Sequence, residues 1–94
     1  LKMSGVADFT VRRCRFEGWG GSAIDMVGCH RGTVEACRFN GKAGFSQDNG
    51  VQMKGGSSGI LVHLNTFLHA GQRAINLGGS TGLPYFRPRP GEYE

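Results

Sequence analysis

The sequence predicts an all-β solenoid, in which short strands stack in successive coils. The main observation is a seven-residue motif that occurs three times, at residues 10–16, 33–39 and 61–67. Each copy has valine at its second position, cysteine or asparagine at its fifth and phenylalanine at its last. One compact core would be only marginally stable in a chain of 94 residues. A repeat at this interval therefore favours stacked units.

A second motif, an apolar-polar-apolar triplet, recurs between the copies of the first. The triplets are residues 1–3, 24–26, 51–53 and 75–77, with glycine at positions 5, 28, 55 and 78. The last residues of successive triplets are 23, 27 and 24 positions apart. Alternation over three to five residues, broken by glycine, is typical of strands and not of helices.

Within the first unit the pattern predicts three strands, near residues 9–13, 15–17 and 23–27. Cys14 marks a bend between the first two strands, and residues 28–32 form a turn after the third. The loop before the third strand is four residues longer in the middle unit, where it covers residues 40–50. Repeat arrays place such insertions on one face, which is often the functional one.

The C-terminal residues 84–94 are predicted to leave the coils of residues 1–83 and to form a cap or linker. Three prolines in this segment, Pro84, Pro88 and Pro90, cannot donate the hydrogen bonds of a central strand. We expect Leu83, Tyr85 and Phe86 to fold back over the last coil.

Composition excludes several classes of protein. The chain is 38% hydrophobic with 17 glycines, which disfavours both disorder and a helical bundle. The net charge of +4 comes from scattered basic residues, so nucleic acid is an improbable partner. There is no run of 18 apolar residues, and a membrane partner is not expected. Three cysteines without zinc spacing are interpreted as buried thiols, with Cys14 and Cys37 as unbonded neighbours in adjacent coils.

Stacking places equivalent residues of successive coils about 4.8 Å apart, so the sequence predicts columns of side chains. We expect Val51, Met53, Val62 and Phe39 to be buried. On the opposite side of the same strands, we expect Gln52 and His63 to be exposed. The four inward columns are Leu1/Ile24/Val51/Ile75, Met3/Met26/Met53/Leu77, Val11/Val34/Val62 and Phe16/Phe39/Phe67.

Two outward columns contain the candidate substrate-binding residues. One column is Arg12, Glu35 and His63, which is either a strip with a proton-transferring histidine or a solvated charge pair. The other runs through Lys2 and is either a sugar-binding surface or a side-chain ladder that satisfies itself. The candidate residues of this second group are Asp25, Gln52 and Asn76, with Lys54 and Arg73 close in sequence.

Metal and cofactor sites are not predicted. His30, His63 and His69 occupy different positions of the unit, and the glycines lack the strand-loop-helix context of a phosphate-binding loop. Trp19 and Phe45 lie in the loops between the phenylalanine and isoleucine columns. Each of these aromatic residues has two possible roles: it covers the edge of the coil, or it stacks on a sugar ring.

The motifs Val-x-x-Cys/Asn-x-Phe and Gly/Ala-Ile/Val-x-Met/Leu resemble those of the right-handed parallel β-helix proteins of the pectin-lyase-like superfamily. The resemblance implies a right-handed parallel β-helix, here of about three and a half coils and a piece of a longer solenoid. Asn65 matches the asparagine that stacks at the bend in this family, whereas Cys14 and Cys37 depart from it. Residues matching the clustered catalytic acids of its enzymes are absent from this sequence.

The resemblance implies a carbohydrate-related module, part of a larger protein that binds or processes a polysaccharide in an extracellular or periplasmic location. Two alternatives remain: a structural self-associating module, and a fragment of a polysaccharide lyase or hydrolase whose acids lie on other coils. We also expect the uncovered first coil to pair with a second copy or with upstream coils.

Overall fold

A computed structural model describes residues 1–88, which form ten short strands and one turn of 3₁₀-helix. The strands are as follows: β1 Lys2–Ser4, β2 Ala7–Arg12, β3 Arg15–Glu17, β4 Ile24–Val27, β5 His30–Glu35, β6 Arg38–Asn40, β7 Asn49–Lys54, β8 Ser58–His63, β9 Thr66–Leu68 and β10 Arg73–Leu77. The 3₁₀ turn is Leu83–Tyr85.

The strands form three sheets, and every pair of neighbouring strands is parallel. Sheet A has the order β1-β4-β7-β10, sheet B the order β2-β5-β8 and sheet C the order β3-β6-β9. Each coil contributes one strand to each sheet, and β10 begins a fourth coil. The predicted parallel solenoid of about three and a half coils is therefore confirmed.

The strand register confirms the inward columns. In sheet A, Met3 is paired with Met26, Met26 with Met53, and Met53 with Leu77. In sheet B, Val11, Val34 and Val62 are aligned in the same way. The valine and methionine positions recur because each fills the same place inside successive coils.

The core is densest in the middle of the stack. Val51 and Phe39 are fully buried and Met53 is 7% exposed, as predicted, whereas Val62 is only half-buried. Val62 belongs to the last complete coil, so one side of its side chain lacks a neighbour. Gln52, on the outer side of β7, is intermediate in exposure and not fully exposed, and the same is true of His63 on β8.

The phenylalanine column is a continuous aromatic stack. The ring of Phe39 lies 4.9 Å from that of Phe16 and 4.6 Å from that of Phe67, with interplanar angles of 5° and 9°. Trp19 packs edge-on against Phe39 at 6.3 Å. Because Trp19 covers the core in this way, its role at the coil edge is structural.

Cys14 contradicts the expectation that all three thiols are buried. Cys29 and Cys37 are buried, but Cys14 is exposed because its coil is the first and no described residue covers its outer side. The register still aligns Cys14 with Cys37, and Cys37 with Asn65, at the bend between sheets B and C.

Each of these bends begins with a residue in the left-handed region, at φ values of 54° for Arg13, 53° for Ala36 and 56° for Leu64. A non-glycine residue held there costs about 1–2 kcal/mol. Asn65 offsets this cost at the third bend, since its Oδ1 accepts a hydrogen bond from the Cys37 backbone N–H at 2.8 Å and its Nδ2 donates to the Val34 carbonyl at 2.9 Å. The asparagine thus ties the third coil to the second.

We expect Asn65→Ala to lower the free energy of unfolding by about 1–2 kcal/mol, because it leaves a backbone N–H and a carbonyl in the bend without partners. Urea unfolding followed by circular dichroism measures the change. Thr66→Ala, at the exposed next position, is the control and should change stability by less than about 0.5 kcal/mol. Equal losses for the two variants would contradict the role given to Asn65.

The C-terminal segment does not cover the last coil in the way the sequence predicts. Leu83 and Tyr85 are 65% and 62% exposed, and Leu77 of the last strand remains 77% exposed. Phe86 alone of the three predicted covering residues lines a cavity with Leu77. The segment instead crosses the side of the stack, where the Arg87 N–H donates to the Gly55 carbonyl at 3.0 Å.

Two glycines explain this path. Gly28 and Gly55 occupy equivalent corners of the second and third coils, at φ values of 64° and 65°. A Cβ at Gly28 would lie 2.9 Å from the Cβ of Arg87, and one at Gly55 would lie 3.0 Å from the Cγ2 of Thr81. The absence of side chains at this corner therefore admits the segment. The proposed division into coils 1–83 and a cap or linker 84–94 stays a prediction, and Pro90 lies outside the described residues.

Candidate functional site

The outer face of sheet A carries a ladder of polar side chains. The register aligns Lys2, Asp25, Gln52 and Asn76 across its four strands. Gln52 Nε2 donates to Asp25 Oδ1 at 3.0 Å, and Asn76 Nδ2 donates to Gln52 Oε1 at 3.2 Å. Asp25, Gln52 and Asn76 therefore form a hydrogen-bonded ladder, which presents a row of amide and carboxylate groups on the outer face.

Asn49 extends the ladder toward the start of the strands. This buried residue donates from Nδ2 to Gln52 Oε1 at 2.9 Å and to Ser22 Oγ at 3.3 Å. Since Gln52 Oε1 accepts from both Asn49 and Asn76, the orientation of the Gln52 amide is fixed on both sides. Arg73, opposite Asn49 in the register, is exposed at the start of β10.

A groove lies beside this ladder, between the ends of the sheet A strands and the C-terminal segment. It has a volume of about 430 Å³. We call it the Tyr85 groove, and its lining residues are Lys2, Ser4, Val27, Lys54, Ser80, Thr81, Gly82 and Tyr85. Lys2 belongs to the column of the ladder, whereas Ser4, Val27 and Lys54 are two residues further along the strands, a distance of about 7 Å.

The chemistry of the Tyr85 groove is cationic, hydroxylic and aromatic. Among residues 1–88, two lysines line it and no carboxylate does. Within residues 1–88, the Thr81 Oγ1 atom is buried and has no hydrogen-bond partner. Buried hydroxyls are normally satisfied, so an unpaired one beside a groove indicates a place where a ligand or a water binds.

The other candidate column is on sheet B. Arg12 Nε lies 3.6 Å from Glu35 Oε1, and His63 Nε2 lies 3.1 Å from Glu35 Oε2. Their side chains are 56%, 25% and 39% exposed for Arg12, Glu35 and His63. The register thus divides the predicted site residues between two sheets, and on sheet B they pair with one another.

A third charged pair joins the first two coils. Arg31 donates from Nε and Nη2 to the two carboxylate oxygens of Asp8, at 2.8 and 3.1 Å. The hydrogen bond from Arg31 holds the pKa of Asp8 below its ordinary value, and the same bond raises the pKa of Arg31. Any stabilisation is present above the ordinary pKa of Asp8 and is lost as the pH falls through the lowered one. Because both groups are fully exposed, the pair is screened by solvent and its effect is small.

No group of three or more His, Cys, Asp or Glu side chains among residues 1–88 is close enough together to hold a metal ion. Within the same residues, no helix is long and apolar enough to span a membrane.

Comparison with protein families gives one match. A family model described as a right handed beta helix region matches residues 1–83. This chain belongs to the right-handed β-helix family. No curated protein and no solved structure matches it.

Membership of the right-handed β-helix family accounts for the coils but not for the groove. Tyr85, Ser80 and Thr81 are not among the candidate site residues, because the sequence assigns Tyr85 to the cap or linker and the other two to the end of the repeating coils. The signal that could have identified them is the glycine corner at Gly28 and Gly55, which leaves room for a segment beside sheet A.

Phe45, in the longer loop of this β-helix, is 50% exposed, and the Lys42 ammonium lies 5.8 Å from the centroid of its ring. Phe45 does not cover the core, which distinguishes it from Trp19. The loop itself is fixed through Ser46, whose Oγ donates to the Trp19 carbonyl at 2.7 Å.

Proposed function

We propose that this β-helix binds an acidic polysaccharide along the outer face of sheet A, with one sugar residue in the Tyr85 groove. The observation that carries the proposal is the position of this groove, which has two lysines and a tyrosine, directly beside the ladder of Asp25, Gln52 and Asn76. Its volume of about 430 Å³ is within the usual range for small-ligand sites.

Each part of this surface suits one part of a sugar. The amide and carboxylate groups of the ladder hydrogen-bond hydroxyls, and their orientations are fixed before any ligand arrives. The exposed ring of Tyr85 supplies an apolar face with a polar end. Lys2 and Lys54 pair with the carboxylate of a uronic acid. The pectin-lyase-like resemblance of the repeats supports the same class of ligand.

Arg73 adds a third cation on the same sheet. It is exposed at the start of β10, whereas Lys54 is at the end of β7. An extended acidic chain on sheet A would therefore meet positive charge at both ends of the strands. Arg12, Glu35 and His63 are left out of the proposed surface because they lie on sheet B, where the Glu35 carboxylate contacts both of the other two side chains.

The proposed activity is binding and not bond cleavage. Glycosidases place two carboxylates on either side of the scissile bond. Within the part of the chain that the structure describes, residues 1–88, Asp25 is the one carboxylate of the ladder and the Tyr85 groove is lined by none. Glu35, on sheet B, is paired with Arg12 and His63.

The decisive experiment compares Lys54→Met with Lys42→Met in binding to polygalacturonate oligosaccharides by isothermal titration calorimetry. Both substitutions remove one charge and keep an apolar stem. Lys54 lines the groove, whereas Lys42 lies beside Phe45 in the loop between β6 and β7. We expect Lys54→Met to weaken binding by about three- to tenfold, or roughly 0.7–1.4 kcal/mol, and Lys42→Met to leave it nearly unchanged.

Neutral dextran oligosaccharides of the same length serve as the ligand control. We expect them to bind more weakly than polygalacturonate to the unsubstituted chain, and Lys54→Met to reduce that difference. Equal losses in the two lysine variants would indicate non-specific attraction to a basic protein, and absence of binding to any polygalacturonate sample would refute the proposal.

A further inference from the structure

A serine and a histidine meet at the corner between sheets A and B, on the side where the C-terminal segment crosses the stack. His30 begins β5 and Ser58 begins β8, and the parallel register places the two residues opposite each other. His30 Nδ1 lies 2.8 Å from Ser58 Oγ, and His30 Nε2 contacts the carbonyl oxygen of Arg87. This pair belongs neither to the ladder on sheet A nor to the lining of the Tyr85 groove.

The carbonyl of Arg87 determines which nitrogen of the neutral His30 ring carries the proton. A carbonyl oxygen only accepts, so the proton is on Nε2 and Nε2–H donates to Arg87. Nδ1 then has its lone pair free, and the Ser58 hydroxyl donates to it at 2.8 Å. His30 is thus oriented to take the proton of Ser58, which is how a neighbouring base activates a serine nucleophile.

The hydroxyl of Ser58 is accessible to a substrate. Ser58 is exposed, and it lines a cavity of about 430 Å³ that is separate from the Tyr85 groove. The apolar side chains of this cavity are Met53, Ile60, Leu77 and Phe86. A cavity of this size with apolar walls suits a short acyl chain, with its carbonyl group toward the serine.

The same cavity contains an unused backbone donor at Gly55. At the equivalent corners of the first two coils, the Gly5 N–H donates to the Val27 carbonyl at 2.9 Å and the Gly28 N–H to the Lys54 carbonyl at 3.0 Å. Among residues 1–88 the Gly55 N–H has no acceptor, although Gly55 is buried and lines the cavity. Buried N–H groups are normally paired, so this one indicates a place for an oxygen atom of a ligand, such as the carbonyl oxygen of an ester.

We propose that Ser58 and His30 hydrolyse a short-chain carboxylic ester bound in this cavity. Ser58 Oγ attacks the ester carbonyl carbon while its proton passes to His30 Nδ1, and Nδ1 then gives that proton to the alcohol oxygen as the ester C–O bond breaks. The acyl group is now on Ser58. Water attacks it and loses a proton to Nδ1, and this proton returns to Oγ as the acyl–Oγ bond breaks and the carboxylic acid leaves.

This activity does not depend on the polysaccharide surface proposed for sheet A. Ester hydrolysis by a serine needs one nucleophile and one base, whereas cleavage of a glycosidic bond needs two carboxylates. Lys54 lines both the cavity and the Tyr85 groove, so the two sites are neighbours.

Labelling of the unsubstituted chain with an alkyl fluorophosphonate, followed by peptide mass spectrometry, tests the nucleophile directly. We expect a single phosphonyl group on Ser58, because the probe reacts with serines that a neighbouring base activates. A hydrogen bond between His30 and Ser58 with only a structural role predicts an unlabelled chain. That result, or a label on another residue in place of Ser58, would overturn the proposal.

Hydrolysis of p-nitrophenyl butyrate tests the pair in variants whose circular dichroism matches that of the unsubstituted chain. Ser58→Ala removes the nucleophile, and His30→Gln keeps a hydrogen-bonding side chain that cannot take a proton. We expect each to lower the rate by about a hundredfold. Thr10→Ala removes an exposed hydroxyl elsewhere on sheet B and should leave the rate unchanged. An undiminished rate in Ser58→Ala, or an equal loss in Thr10→Ala, would contradict the assignment, and the phosphonate label decides it if Ser58→Ala does not fold.

Discussion

Replacing Phe39 by alanine is expected to lower the free energy of unfolding by about 3–5 kcal/mol. The ring is fully buried and stacks on Phe16 and Phe67, with Trp19 against its edge. Its removal opens a cavity beside β6, the strand of sheet C that has a neighbouring strand on each side. It also breaks the aromatic stack into two isolated rings. Domains have a total stability of about 5–15 kcal/mol, so this one substitution should remove a large part of it.

Urea unfolding followed by far-ultraviolet circular dichroism measures this loss. Phe45→Ala removes the same side chain from a position that is 50% exposed in the loop, and it should cost less than about 0.5 kcal/mol. If the two alanine variants were equally stable, Phe39 could not be the centre of the core.

Gly32→Val is expected to have the second largest effect, a loss of about 3 kcal/mol, at the upper end of the usual range for overpacking. A Cβ at Gly32 would lie 2.1 Å from Cζ of Phe9, whose ring fills the space above the glycine in the adjacent coil. Gly32 is buried and has no positive φ, so the whole effect comes from the clash with the ring.

A double-mutant cycle with Phe9→Ala identifies the cause. Removal of the ring should make the added valine much less destabilising, so the two losses should not add. Gly21→Val is the control, since the nearest atom to its Cβ would be Asp48 Oδ2 at an ordinary contact distance of 3.6 Å. Thermal unfolding of the four variants gives the coupling free energy, and additive losses would show that Phe9 does not occupy the space of the missing side chain.

The interior of the coils could be predicted because stacking gives equivalent positions of successive coils the same buried surroundings. The three valines Val11, Val34 and Val62 fill the same position in successive coils, so the same residue recurs in the sequence. The outward orientation of the Gln52 side chain followed from the alternation of side chains along a strand. A shift of one residue would have reversed every column, and the register in sheet A shows no such shift.

The motif does not predict how far side chains in the first and last coils of the described stack are buried. Cys14 and Cys37 are at equivalent positions, yet Cys14 is exposed and Cys37 is buried. The motif describes a residue within its own coil, whereas burial depends on the coils on either side. The same reason explains why Val62 is half-buried while Val34 is fully buried.

The candidate site was predicted in part. The alignment of Asp25, Gln52 and Asn76 followed from the repeat, but whether they would bond to one another depended on rotamers that the sequence does not specify. The Tyr85 groove depends on a non-repeating segment, whose path is set by contacts with Gly28 and Gly55 and not by a pattern of its own.

The offset of 23 to 28 residues between paired strands also determines the order in which the chain can fold. No strand finds a partner until a full further coil is present, so the first ladder closes a long loop before any backbone hydrogen bond compensates for the lost entropy. Once the first two coils have paired, each later strand adds to a template that is already ordered. Within residues 1–88, β1 therefore gains its partner in the second coil only when β4 has been synthesised, and each later strand then adds in sequence to coils that are already ordered.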